Sequence, residues 1–202
     1  MHLHSLRIHR IEDLEEMINL RREHLALTSP GHSNHPEVLL ILLLSLETQY
    51  KCTDDMDYVK EAIEHLYEAL KLAKSGPHLS RSILQLLARA LLDRFMRCGT
   101  DEDMASAIKH YQTSISLIPE GHPEVTSNLS DFAGCLSIIF SRTGYADYLE
   151  ESITLYQSAV KYPFSSVCER MEAAYSWAFT AHSTRHPQPW LHTARFSPYF
   201  SM

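Results

Sequence analysis

The sequence predicts an all-α protein, a right-handed solenoid (superhelix) of antiparallel helix pairs that repeats every 45 residues. Three observations predict this fold. Apolar residues recur at helical spacing, four segments align without gaps at the 45-residue interval, and turns containing glycine fall at the same interval. A fixed interval of this length is typical of stacked helical repeats, in which each pair buries its apolar face against its neighbours.

One set of helices is defined by four segments that begin at Glu12, Asp57, Glu102 and Asp147. Their letters are EDLEEMINLRREHLAL, DYVKEAIEHLYEALKL, EDMASAIKHYQTSISL and DYLEESITLYQSAVKY. Apolar positions in these segments lie four, seven and eight residues apart, which indicates one helical face and not the alternation of a strand. The central isoleucines are Ile18, Ile63, Ile108 and Ile153.

A second set of helices lies between these segments in the same register. Its columns are Leu39, Leu84, Leu129 and Ala174; Leu42, Leu87, Phe132 and Trp177; Leu46, Leu91, Leu136 and Ala181. Gly99 and Gly144 share one column after this set, where glycine favours the end of a helix. Thr100, with Asp103 three residues later, predicts a capping box at the next helix start.

Together the two sets predict one array over residues 1–182, followed by an irregular tail over 183–202. The array begins with an unpaired helix and ends with a closing helix, and three helix pairs lie between them. The predicted helices cover 11–27, 36–52, 56–73, 80–97, 102–118, 124–142, 147–161 and 166–182.

The spacing within the repeat resembles the tetratricopeptide pattern over roughly residues 10–182. The matching positions are Leu84, Leu87, Ala88 and Leu91 in one helix, then Ala107, Tyr111, Ser114 and Pro119 in the next. The stretches RFMRCG from Arg94, PEGHPE from Pro119 and FSRTG from Phe140 resemble the long repeats of fungal aromatic di-alanine and tetratricopeptide proteins. In that family such repeats often precede a caspase-like CHAT protease domain.

Composition argues against several classes of partner and compartment. The formal charge of −7 and the absence of basic runs argue against nucleic-acid binding. The most apolar run, Val38 to Leu46, is too short to span a bilayer and is interpreted as a buried helix. The N-terminus does not resemble a secretory signal, and four cysteines without metal-site spacing fit reduced thiols in the cytoplasm.

No pattern in the sequence predicts catalysis, a cofactor or a metal site. The thirteen histidines include loop and helix positions that recur at the repeat interval, which separates them along the axis. The caspase motif around a nucleophilic cysteine is absent, and so are the glycine-rich motifs that bind phosphates. Paired acids such as Glu150 and Glu151 stand at helix starts, where they stabilise the helix dipole.

The resemblance implies a binding groove, since the first helix of each tetratricopeptide pair lines a concave surface. The residues that the resemblance places on this surface form a polar row with a single basic residue. That composition argues against a clamp for a C-terminal carboxylate. The implied partner-binding residues are Ser82, Gln85, Arg89, Asp93, Ser127, Ser130, Ser137, Glu172 and Tyr175.

These observations favour a cytoplasmic scaffold or adaptor that binds a peptide segment of a protein partner, without nucleic acid or membrane. An alternative is a regulatory fragment of a CHAT-type protease whose catalytic domain is absent from this chain. A third reading is a helical enzyme with an unrecognised site. Self-association through the ends of the array is a further expectation.

Overall fold

The protein is all-α over the residues that the computed structural model describes, which are 2–29, 32, 34–73 and 77–185. This confirms the prediction that the protein is all-α, and no strand occurs in those ranges. Eight helices are present there: α1 (His2–Leu27), α2 (His35–Thr53), α3 (Met56–Leu72), α4 (Pro77–Cys98), α5 (Asp101–Ser116), α6 (Val125–Thr143), α7 (Ala146–Lys161) and α8 (Val167–Arg185).

The observed helix bounds lie within three residues of the predicted ones, except at the start of α1. That helix begins at His2 and not at residue 11, because the first ten residues contain no proline or glycine to interrupt it. At the other end, α8 continues to Arg185, past the predicted end at 182. The remainder of the predicted irregular tail, 186–202, lies outside the described residues.

The helices form two compact units, Met1–Pro119 and Glu120–Met202. In the first unit, each of the helices α1 to α4 packs against the next one along the chain. Its core consists mainly of aliphatic side chains from the three middle helices. The largest fully buried ones are Leu42 and Leu46 of α2, Leu66 of α3, and Leu87 and Leu91 of α4.

In the second unit, α6, α7 and α8 all contact one another. The Thr126 hydroxyl donates a hydrogen bond to the Ala159 carbonyl over 3.2 Å. The Ser152 hydroxyl donates to the Ala133 carbonyl over 2.7 Å. The later residue of α6, Ala133, thus contacts the earlier residue of α7, Ser152, so these two helices are antiparallel.

The helix ends predicted at Gly99 and Gly144 are confirmed. Both glycines have left-handed backbone, with φ of 74° and 75°, and their N–H groups donate to the carbonyls of Phe95 and Phe140. Asp54 ends α2 in the same way at φ 63°, although it is not glycine. It stands 45 residues before Gly99, and aspartate tolerates this conformation better than most residues.

The predicted capping box at Thr100 and Asp103 is wrong. The Thr100 side chain makes no capping hydrogen bond, and the Asp103 carboxylate accepts two bonds from the Arg94 guanidinium, at 2.7 and 2.6 Å. A bidentate charged pair of this kind is stronger than a cap on a backbone N–H, so it determines where the carboxylate lies. A capping box occurs instead at the start of α8, where Ser166 and Glu169 bond each other's backbone N–H.

Lowering the pH should destabilise the protein partly through His110 of α5. Burial, and secondarily the charge of Lys109, lower the pKa of His110 below 6.5. The His110 ring lies edge-on to the Tyr67 ring, with 6.2 Å between the ring centroids. The unfolded chain therefore binds this proton first, so stability falls as the pH drops through about 6.5. Urea unfolding at about pH 8 and pH 5.5 should show a smaller loss for His110→Gln than for the wild type. An equal loss in the two proteins would contradict this role.

Candidate functional site

Four of the predicted partner-binding residues lie along one face of α4 in the first unit: Ser82, Gln85, Arg89 and Asp93. All four side chains are half-buried. The Ser82 hydroxyl donates to the His78 carbonyl of the preceding turn, at 3.2 Å. The polar face that the sequence predicts is thus present on α4, with part of its hydrogen-bonding capacity used within the helix.

Arg89 is held in an ion-pair network with α2. Its Nη2 lies 2.6 Å from Oε2 of Glu47, and the other carboxylate oxygen of Glu47 accepts a bond from Lys51 Nζ at 2.7 Å. The Arg89 side chain remains 42% exposed. Exposed pairs of this kind contribute at most about 1 kcal/mol, so a charged group of a partner could replace either member at low cost.

A small cleft opens beside this ion pair, between α2, α3 and α4. Its volume is about 40 Å³, which is room for water or the tip of one apolar side chain. Most of its lining is apolar. The lining residues are Leu43, Leu44, Leu46, Glu47, Tyr50, Tyr58, Val59, Ala62, Leu66, Leu86, Arg89, Ala90 and Asp93.

The apolar run of α2 is only partly buried, which corrects its interpretation as a buried helix. Val38, Leu39, Leu42, Leu43 and Leu46 are buried, but Leu40, Ile41 and Leu44 are 45%, 38% and 49% exposed. Leu44 also lines the cleft, so the exposed leucines are continuous with it. Exposed apolar surface next to a recess is typical of an interaction site.

The sequence contained a signal for these missed residues. Leu40 and Leu44 precede Gln85 and Arg89 by 45 residues, and Glu47 precedes Ser137 by 90, which is two repeats. Extending the predicted row back into α2 would therefore have identified all three. The row changes from polar on α4 to apolar on α2.

The other predicted residues lie in the second unit, on α6 and α8. Ser127, Ser130 and Ser137 of α6 are half-buried, and the first two hydroxyls donate to carbonyls within their own chain segment. Glu172 and Tyr175 of α8 are exposed, and Tyr175 has 75% of its surface accessible. Of the nine predicted residues, only the two on α8 are thus exposed.

The four cysteines all lie in the described part of the chain, as free thiols that differ in exposure. Burial raises the pKa of the Cys135 thiol well above its usual range, so this thiol stays protonated at neutral pH. Cys52, Cys98 and Cys168 are exposed free thiols. Within the described ranges, no group of three or more His, Cys, Asp or Glu side chains is placed to hold a metal ion.

Comparison of the chain with protein-family models, with curated proteins and with solved structures gave no match. Among the described helices, none has the length and apolar character that crossing a membrane requires.

Proposed function

We propose that this protein is a tetratricopeptide-like scaffold that binds a peptide segment of a protein partner. The proposed site is the α2–α4 surface, which we define as Leu40, Leu44, Glu47, Gln85 and Arg89. The observation that carries the proposal is the pair of exposed leucines, one helical turn apart, beside a cleft that Arg89 and Glu47 help to line.

Burial of equivalent side chains supports the proposed solenoid of helix pairs with its 45-residue period. Three columns of equivalent residues in α3, α5 and α7 are buried in all three helices. These are Ala62, Ala107 and Ser152; Leu66, Tyr111 and Tyr156; Ala69, Ser114 and Ala159. Side chains that recur in sequence and are buried alike are what stacked repeats require.

The chemistry of the α2–α4 surface fits a peptide with an apolar residue next to a charged one. The apolar side chain would cover Leu40 and Leu44, which bury further apolar area on contact. A neighbouring carboxylate would compete with Glu47 for Arg89, whereas a neighbouring amine would compete with Arg89 for Glu47. The pair of charges thus gives direction and selectivity to an apolar contact.

We propose binding without turnover at this surface. The cleft lining contains no serine, cysteine or histidine, so it cannot form a Ser-His or Cys-His pair. We also propose a cytoplasmic location, where the exposed thiols of Cys52, Cys98 and Cys168 would stay reduced.

The proposal can be tested with peptides selected on the wild-type protein from a random display library. Leu44→Glu should weaken a selected peptide at least about tenfold, because it places a charge in the apolar contact. Replacing Gln85 and Arg89 together by alanine should also weaken it, with helix content unchanged, because these half-buried polar side chains contribute little to folding. Isothermal titration of each variant measures the change.

Tyr145→Glu is the matched control, since Tyr145 is 66% exposed and lies outside the α2–α4 surface. This variant should bind the peptide as the wild type does. The proposal would be wrong if Leu44→Glu and Tyr145→Glu bound equally well, or if no peptide could be selected at all.

A further inference from the structure

The last helix of the described chain carries an exposed apolar stripe. Val167, Met171 and Tyr175 stand four residues apart on α8 and are 62%, 67% and 75% exposed. That spacing places them on one face of the helix. A stripe of this kind is uncommon on a helix whose outer face meets only water.

The counterpart residues of α6 show what is missing from this face of α8. Thr126 and Ala133 are fully buried. The Thr126 hydroxyl donates a hydrogen bond to α7, and the Ala133 carbonyl accepts one from α7. Met171 and Ala178 stand 45 residues later and are exposed. The face of α8 that matches the α7-binding face of α6 is therefore uncovered over the described residues.

The first helix shows the converse arrangement. Ser152 and Ala159 of α7 are fully buried, and both take part in the hydrogen bonds to α6. Their counterparts 135 residues earlier, Met17 and His24 of α1, are exposed. By its sequence α1 is thus a helix of the α7 type, with the face that such a helix turns toward an α6-type helix left open.

We infer that α1 of one copy of this chain packs antiparallel on α8 of another, in the way α7 packs on α6. At one of the two equivalent positions side-chain size fits, because the large Met17 would meet the small Ala178 where Ser152 meets Ala133. At the other position His24 would meet Met171, where Ala159 meets Thr126. The contact joins two different surfaces, so it is heterologous and propagates from copy to copy. It rests on the repeat register of the proposed scaffold but not on peptide binding.

Charge complementarity favours the same pairing. The segment Glu12 to Glu16 of α1 holds four acids and no base. The sequence from His182 to Met202 holds two arginines, three histidines and no acid. With Met17 opposite Ala178, antiparallel packing places this acidic segment, which lies in the middle of α1, next to the end of α8 at His182 and Arg185.

A second copy is favoured over the chain's own C-terminal sequence as the cover of α8. One further repeat would place the central isoleucine at position 198, where this sequence has Pro198, with Pro187 and Pro189 before it. Proline in a helix interior costs about 3 kcal/mol, so this sequence is a poor source of another α7-type helix. The α1 helix of another copy carries no proline.

Sedimentation velocity on the full chain over a range up to about 100 μM tests the inference. The wild type should associate as its concentration rises. Met17→Glu and Met171→Glu should each weaken that association at least about tenfold, since each places a charge in the contact. A mixture of the two variants should form a 1:1 dimer, because the first keeps an intact α8 and the second an intact α1.

Tyr145→Glu serves as the control and should associate like the wild type. A wild type that stays monomeric, a mixture that forms no dimer, or a Met17→Glu variant that associates normally would overturn the inference. Association that rises when Trp190 and Phe196 are both replaced by glutamate would overturn it too, because the C-terminal sequence would then be the cover. Peptide binding at the α2–α4 surface would survive each of these outcomes.

Discussion

Leu87→Ala should lower the free energy of unfolding by about 2–5 kcal/mol. Leu87 has no exposed surface and lies in the middle of α4, which packs against both α3 and α5. Removing its side chain beyond Cβ loses buried apolar contact and leaves a cavity, because neighbouring helices relax only partly.

Urea unfolding of Leu87→Ala measures this loss, and Glu68→Gln is a suitable comparison. The Glu68 side chain is 73% exposed, so its replacement should change stability by no more than about 0.5 kcal/mol. Small and equal effects at the two positions would mean that the helix register assigned to the first unit is wrong.

Arg94→Met should cost about 3 kcal/mol, because it leaves a carboxylate buried without its partner. The Asp103 side chain is 6% exposed, and the two bonds from Arg94 are those that satisfy its oxygens. The same contact raises the pKa of Arg94, chiefly through its hydrogen bond to Asp103, so the arginine is charged at every accessible pH.

Arg22→Met provides the matched control for this buried pair. Arg22 bonds Glu61 in the same bidentate way, but these side chains are 37% and 23% exposed, so its loss should cost about 1 kcal/mol or less. Thermal unfolding of both variants compares the two costs. If Arg94→Met were no more destabilised than Arg22→Met, burial of Asp103 would not matter to the stability of the fold.

The sequence predicts the helices of this fold well because the apolar residues of α3, α5 and α7 have a clear helical period. It predicts α2 less well. The run from Val38 to Leu46 is apolar on nearly every side, so periodicity cannot tell which residues face the core. Exposure of Leu40 and Leu44 depends on where α3 and α4 lie, and the sequence indicates it only through the equivalent positions Gln85 and Arg89, 45 residues later.

The ion pairs between helices could not be predicted from the sequence either. Arg94 and Asp103 are nine residues apart, and Glu47 and Arg89 are 42 apart, so each pair depends on how two helices pack. A local rule, the capping box, made the wrong prediction for Asp103 because a stronger tertiary partner was present. The Arg89 side chain was predicted as the single cation of the binding row, and the structure shows that it shares Glu47 with Lys51.

Methyl resonances of the leucine side chains offer the most direct test of peptide binding at the α2–α4 surface. A saturating selected peptide should shift the Leu40 and Leu44 methyl signals more than those of Leu20, Leu27 and Leu72, which are equally or more exposed elsewhere on the chain. Shifts confined to the latter leucines, with Leu40 and Leu44 unchanged, would contradict the proposed site.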